Sequence, residues 1–137
     1  MDEQVELIKK NAQLVIDQLR PLSDVDFGLN RESVAWVEGY IERRRASPNF
    51  DWTTVDMLAP VLGSFLGECI IANAGGSWRW TEERQWGIAF PNNNWSFPFA
   101  KVDKLFENGL EGGDSILSFY DVTVDFIATG KFNPGPR

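Results

Sequence analysis

The sequence predicts a single α+β domain over residues 1–137, with helices packed on a small three-stranded antiparallel sheet. The stretch from Gly75 to Lys101 holds four of the six tryptophans. Its large residues recur at a period of two: Trp78 and Trp80, then Trp86, Ile88 and Phe90, then Trp95 and Phe97. That alternation describes three short strands, each sending a bulky row to the same side of a sheet. The segments before and after it instead carry apolar residues at three- and four-residue spacing, as helices covering that row would. No repeat, low-complexity block or linker divides the chain, and its length suits one domain.

Each element has its own signals. Residues 3–20 form a helix through Val5, Ile8, Ala12, Val15 and Leu19, and Pro21 ends it because the residue before a proline is driven out of the helical region. After a turn-rich connection, Asn30 is the N-cap of a second helix, with Leu29 and Val34 placed as a hydrophobic staple. Val34, Val37 and Ile41 are its inward stripe, beside Trp36 and Tyr40. Arg43, Arg44 and Arg45 close it, where cations suit the negative end of the dipole. A third helix starts near Thr54 or Asp56, tolerates Pro60 in its early turns and runs to about Asn73. Its apolar residues cover more than half its circumference, so it is the expected central helix. Gly63 and Gly67 lie on one edge and invite close approach by a neighbour. Gly75-Gly76 ends it.

Past the sheet, Pro98 opens a short helix with Phe99, Val102, Leu105 and Phe106 on one face, stopped by Asn108-Gly109. Asp114 is expected to cap a last helix through Ile116, Phe119, Tyr120, Thr123, Phe126 and Ile127, although Val122-Thr123-Val124 also reads as strand. Residues 130–137 read as a flexible tail.

The composition narrows the chemistry. There is no histidine, which removes Ser-His and Cys-His pairs, imidazole metal sites and the usual neutral-pH proton shuttle. Cys69 is the only cysteine, so no intrachain disulfide forms; in its apolar surroundings it reads as a buried thiol. Calcium-loop, Walker and dinucleotide patterns are missing. No catalytic residue, metal or cofactor is expected. The net charge of −7 disfavours nucleic acid and favours a basic partner. No apolar run reaches the roughly 20 residues of a bilayer span, so no membrane association is expected. The acidic N-terminus lacks the order of an export signal, which makes the cytoplasm the expected location.

Glu68, inside the most apolar helix, is expected to pair with an arginine of the second helix; a role as general acid or base is the rival reading. Trp78, Trp86 and Trp95 are expected in the core, whereas Trp80 and Trp52 stand near element ends where an aromatic can anchor a partner. Asp103, Glu107, Glu111, Asp114, Asp121 and Asp125 concentrate after position 100, and the repelling pairs Asp103 with Glu107 and Asp121 with Asp125 each share a helix face. With Trp80, the first five form the expected binding surface for a cationic protein. Exposed tryptophans also admit a small-molecule or carbohydrate site.

The runs LGSFLGECIIANAGGSWRW and WGIAFPNNNWSFPFAKVDKLFENGLEGGDSILSFY, from Leu62 to Tyr120, resemble a group of small bacterial cytosolic proteins associated with toxin-neutralising immunity proteins. The shared words are Gly67-Glu68, Gly75-Gly76 with a following Trp, Phe97-Pro98-Phe99 and Glu107-Asn108-Gly109. The resemblance implies an α+β fold and a non-enzymatic protein that occludes a basic toxin, such as a nuclease. It brings no catalytic residues.

Overall fold

Among the described residues, 2–129 of the computed structural model, eight regular elements follow one another. They are α1 (Asp2–Leu19), α2 (Arg31–Ala46), α3 (Trp52–Ala74), β1 (Ser77–Thr81), β2 (Gln85–Phe90), β3 (Asn94–Ser96), α4 (Pro98–Asn108) and α5 (Ile116–Thr129). The fold is α+β, with an antiparallel sheet in the order β1-β2-β3. The tail expected at 130–137 lies outside the described residues.

Local chemistry sets the helix ends. Asn30 caps α2 by accepting the Ser33 N–H at 2.9 Å. Asp51 does the same for α3, accepting the Thr54 N–H at 2.8 Å, so this helix begins earlier than expected and runs through Pro60. Gly109 ends α4 at φ +69°, a conformation open to glycine. Arg45, in the last turn of α2, donates from Nε to the Phe106 carbonyl at 2.9 Å and so satisfies the end of α4.

Helix α3 is the centre. It packs against α1, α4 and α5 and buries Leu62, Phe65, Leu66, Cys69 and Ile70. Each such large aliphatic or aromatic side chain contributes about 1.5–3 kcal/mol of transfer free energy. With Asp56 and Glu68 as its only charges, α3 is long and apolar enough to cross a bilayer. That corrects the expectation of no such run. Protein, however, covers much of its surface.

Both α3 glycines admit neighbours. A Cβ at Gly63 would stand 3.1 Å from the Phe99 Cα, so the first turn of α4 approaches there. At Gly67 a Cβ would enter the space of the Trp78 indole. The sheet and α4 therefore dock on α3 through these two notches.

The sheet register corrects the tryptophan pattern. Trp78 faces Ile88 across the strands, Trp80 faces Trp86, and Ile88 faces Ser96. Trp95 is paired with Ala89, which puts it on the opposite face. The connection at 91–93, with Asn93 at φ +61°, keeps even-numbered residues on the inner side through β3. Trp95 is consequently 41% exposed, stacked on Phe97 with centroids 5.9 Å apart, and does not belong to the core. Of the three tryptophans assigned to the interior, only Trp78 is fully buried; Trp86 is half-buried. Phenylalanines and aliphatic residues, Phe27, Phe65 and Phe106 among them, fill the rest.

The segment 120–126 is helical, which resolves the strand alternative. Asp114 does not cap α5: Ser115 does, accepting the Ser118 N–H at 3.0 Å. Glu38 of α2 supports that end from outside, accepting from Ser115 Oγ at 2.6 Å and from the Leu117 N–H at 3.2 Å.

Candidate functional site

The β1–β2 turn, Glu82 to Arg84, closes at Gln85, whose φ of +62° supplies the left-handed residue that a three-residue hairpin loop needs. This turn brings Arg84 beside the start of α4. Between them, against α3, lies a groove of about 350 Å³. Its walls are Ala59 and Pro60 of α3, Trp86 of β2, Phe97 and Phe99, and its rim carries Arg84, Gln85 and Asp103. Phe97 stands over Gly87 on the outer face of the sheet, where a Cβ would come within 2.6 Å of the ring. Trp80, 45% exposed, meets Trp86 edge-on with centroids 5.8 Å apart and extends the aromatic surface past the groove.

The rim carries one cation, Arg84, and one carboxylate, Asp103. Burial pushes the Asp103 carboxyl above its ordinary value, and Glu107 and Asp56 push it further. None of these three carboxylates forms an ion pair with a described residue. They stand together because α4 packs along α3. Nothing in the sequence links Asp56 to Asp103.

The other predicted acidic residues part company with this set. Asp114 accepts from Lys101 Nζ at 3.1 Å and from Asn108 at 2.8 Å, and those contacts, Asn108 first, hold its carboxyl below the ordinary value. Asp121 takes both arms of Arg31, at 2.9 and 2.8 Å. Asp114 thus ties the segment before α5 to α4, and Asp121 ties α5 to Arg31 of α2 at the surface. Glu111 is exposed on the turn after α4, away from the groove. Of the predicted residues the structure places Asp103 on the groove with Glu107 close to it, and Trp80 at its margin against Trp86; to these it adds Asp56, Arg84, Trp86, Phe97 and Phe99. The spacing of Asp103 and Glu107 was visible beforehand; Arg84 had only its place in a hairpin turn to mark it.

Glu68 does not pair with an arginine of α2. It accepts the Trp78 indole N–H at 2.8 Å, fixing the ring that fills the Gly67 notch. Neither groove is lined by Glu68. Cys69 is fully buried, and burial, helped by the Glu68 charge, pushes its thiol up, out of reach of nucleophilic chemistry at neutral pH. Among the described residues, no three carboxylate or cysteine side chains converge to hold a metal ion.

A second groove, about 660 Å³, runs between β3 and α5. Phe90, Trp95, Phe119, Val122, Phe126 and Ile127 supply its apolar wall, and its two charges, Lys101 and Asp121, are each neutralised within the fold.

The chain matches no protein-family model, and no curated protein or solved structure is similar to it.

Proposed function

We propose that the protein is a non-enzymatic binding module for a basic protein, which it engages at the groove between the β1–β2 turn and α4. The observation that supports this is the set Asp56, Asp103 and Glu107, three interacting carboxylates that form no ion pair with a described residue, of which Asp103 borders the aromatic wall. Like charges held this way destabilise the free fold slightly, and a cationic partner removes that repulsion on binding. Trp80 and Trp86 offer the rigid aromatic area that anchors interfaces. The resemblance to toxin-neutralising proteins gives the setting: a cytoplasmic immunity protein whose carboxylates enter the phosphate-binding cleft of a basic toxin, such as a nuclease. Opposite charge also speeds the encounter, which matters when a toxin must be stopped before it acts. Titrating the toxin encoded beside this protein, at low and high salt, tests the proposal. A complex that weakens with salt supports it, and no complex at micromolar concentration overturns it.

A second reading has one specific observation behind it. The groove between β3 and α5 is large enough for a small molecule, and Trp95 gives it a stacking surface. This moves the expected small-molecule or carbohydrate site from Trp80 to Trp95. Quenching of tryptophan fluorescence by a sugar panel, lost in Trp95→Ala, is the result this reading requires.

A further inference from the structure

Arg84 already does, within the chain, what the proposed partner would do. Its guanidinium lies 3.9 Å from the centroid of the Phe97 ring, at the rim of the groove that Asp103 borders. A planar, weakly hydrated cation on an aromatic face is a favourable pairing, and it suits arginine better than lysine. Yet Arg84 forms no ion pair with a described residue, and its guanidinium donates no hydrogen bond to one. Its side chain is exposed, and it sits in a three-residue turn held by the bond from its own backbone N–H to Thr81 Oγ1 at 3.0 Å. The side chain is therefore free to leave without unmaking the turn. The aromatic wall is held more firmly: Phe97 is seated on Gly87 and stacked on Trp95.

We infer that the groove is a binding site for an arginine side chain of the partner protein, and that Arg84 occupies its aromatic wall in the free protein and is displaced on binding. This rests on the proposed capture of a basic protein and goes further by naming the anchoring residue type and the in-chain competitor. The incoming guanidinium stacks on Phe97, and the Asp103 carboxylate on the same groove, with Glu107 and Asp56 beside it, adds attraction at longer range. Displaced Arg84 returns to solvent from an exposed position, so among the described residues its stacking on Phe97 is the contact that binding must break.

The test uses the full chain and a tryptophan-free, arginine-rich peptide, with a lysine-substituted copy of that peptide as comparison. Arg84→Ala is expected to bind the arginine peptide several-fold more tightly than the parent. Removing any cation makes the protein more negative, so Arg44→Ala, an exposed arginine outside the groove, serves as the charge-matched control and should gain less. Arg84→Gln should behave like Arg84→Ala. During titration of the parent, the Arg84 Nε–H proton resonance should move downfield as the residue leaves the shielding face of Phe97. Equal gains in Arg84→Ala and Arg44→Ala, or weaker binding by Arg84→Ala, overturn the displacement while leaving the cationic-partner reading in place. Failure of the parent and both Arg84 variants to bind either peptide overturns both. Equal affinity for the lysine peptide overturns the assignment to arginine.

Discussion

Gly67→Ala should destabilise the protein, although alanine is the better helix former. Intrinsic propensity alone favours the substitution by about 1 kcal/mol in a helix interior. The Gly67 notch reverses the sign. An added Cβ would fall well inside 3.0 Å of the Trp78 Cη2 and Cζ2 atoms and 3.1 Å from the Pro98 Cγ. The indole would have to retreat by roughly 1 Å to regain ordinary carbon–carbon separation. Overpacking of this kind costs about 1–3 kcal/mol. A shifted ring also loses its N–H bond to Glu68, now 2.8 Å, and a bond to a charged acceptor contributes about 1.5–3 kcal/mol. Net of the propensity gain, the expected loss is about 1.5–5 kcal/mol, a large share of a stability of the order of 5–15 kcal/mol. Urea unfolding followed by far-ultraviolet circular dichroism measures it. Gly39→Ala provides the contrast, since a Cβ there meets only the Arg43 Nη1 end of a flexible, exposed side chain at 3.1 Å; it should be neutral or stabilising by up to about 1 kcal/mol. A neutral or stabilised Gly67→Ala would refute the notch and the docking of the sheet on α3 through Trp78.

Three further outcomes follow from the same contacts. The Asp103 carboxyl titrates above its unfolded value, so its charge opposes folding at neutral pH, and that penalty is relieved as pH falls through the raised value. Asp103→Asn should therefore gain roughly 0.2–0.5 kcal/mol at pH 7 and lose its advantage in mild acid, read from urea midpoints across pH. Asp114 has the opposite sign: its lowered carboxyl stabilises the fold above the unfolded value, and that contribution disappears as pH falls through the lowered one. Asp114→Asn should cost about 1.5–3 kcal/mol at pH 7, because Lys101 exchanges a charged acceptor for a neutral one, and should flatten the acid limb of the stability curve. Glu38→Ala should cost about 1–3 kcal/mol and speed amide exchange selectively in the first turn of α5, whose Leu117 N–H and Ser115 hydroxyl it serves.

What could be read in the sequence is what depends on neighbours in the chain. Asn30, Pro21, Pro98 and Gly109 act within a turn or two of themselves, and the helix ends they mark are where the structure has them, to within a residue or two. The sheet was legible as three strands but not in full register. A period of two continues across a turn only if its length and backbone are known, and a left-handed Asn93 has no firm sequence signal. Trp95 changed faces for that reason. Asp114 and Ser115 are both good helix caps, and the choice between them was decided by Lys101 and Asn108, which claim the aspartate. Arg31 and Asp121 meet across 90 residues, so nothing local to Asp121 distinguishes it from an unpaired surface charge. The groove was the least legible feature, because α3, the β1–β2 turn and α4 each contribute a part. Asp103 and Glu107 were found through their spacing on one helix, whereas Asp56 and Arg84 become relevant only when those elements pack.

The central claim is that uncompensated carboxylates beside the aromatic groove select a cationic partner. Titration of the tryptophan-free, arginine-rich peptide into the parent protein and into the double variant Asp103→Asn, Glu107→Gln, at low and high salt, addresses it directly. The double variant should bind about tenfold more weakly at low salt, equivalent to roughly 1.4 kcal/mol, with a shallower dependence on salt. Equal affinities and equal salt dependence for the two proteins would contradict the claim.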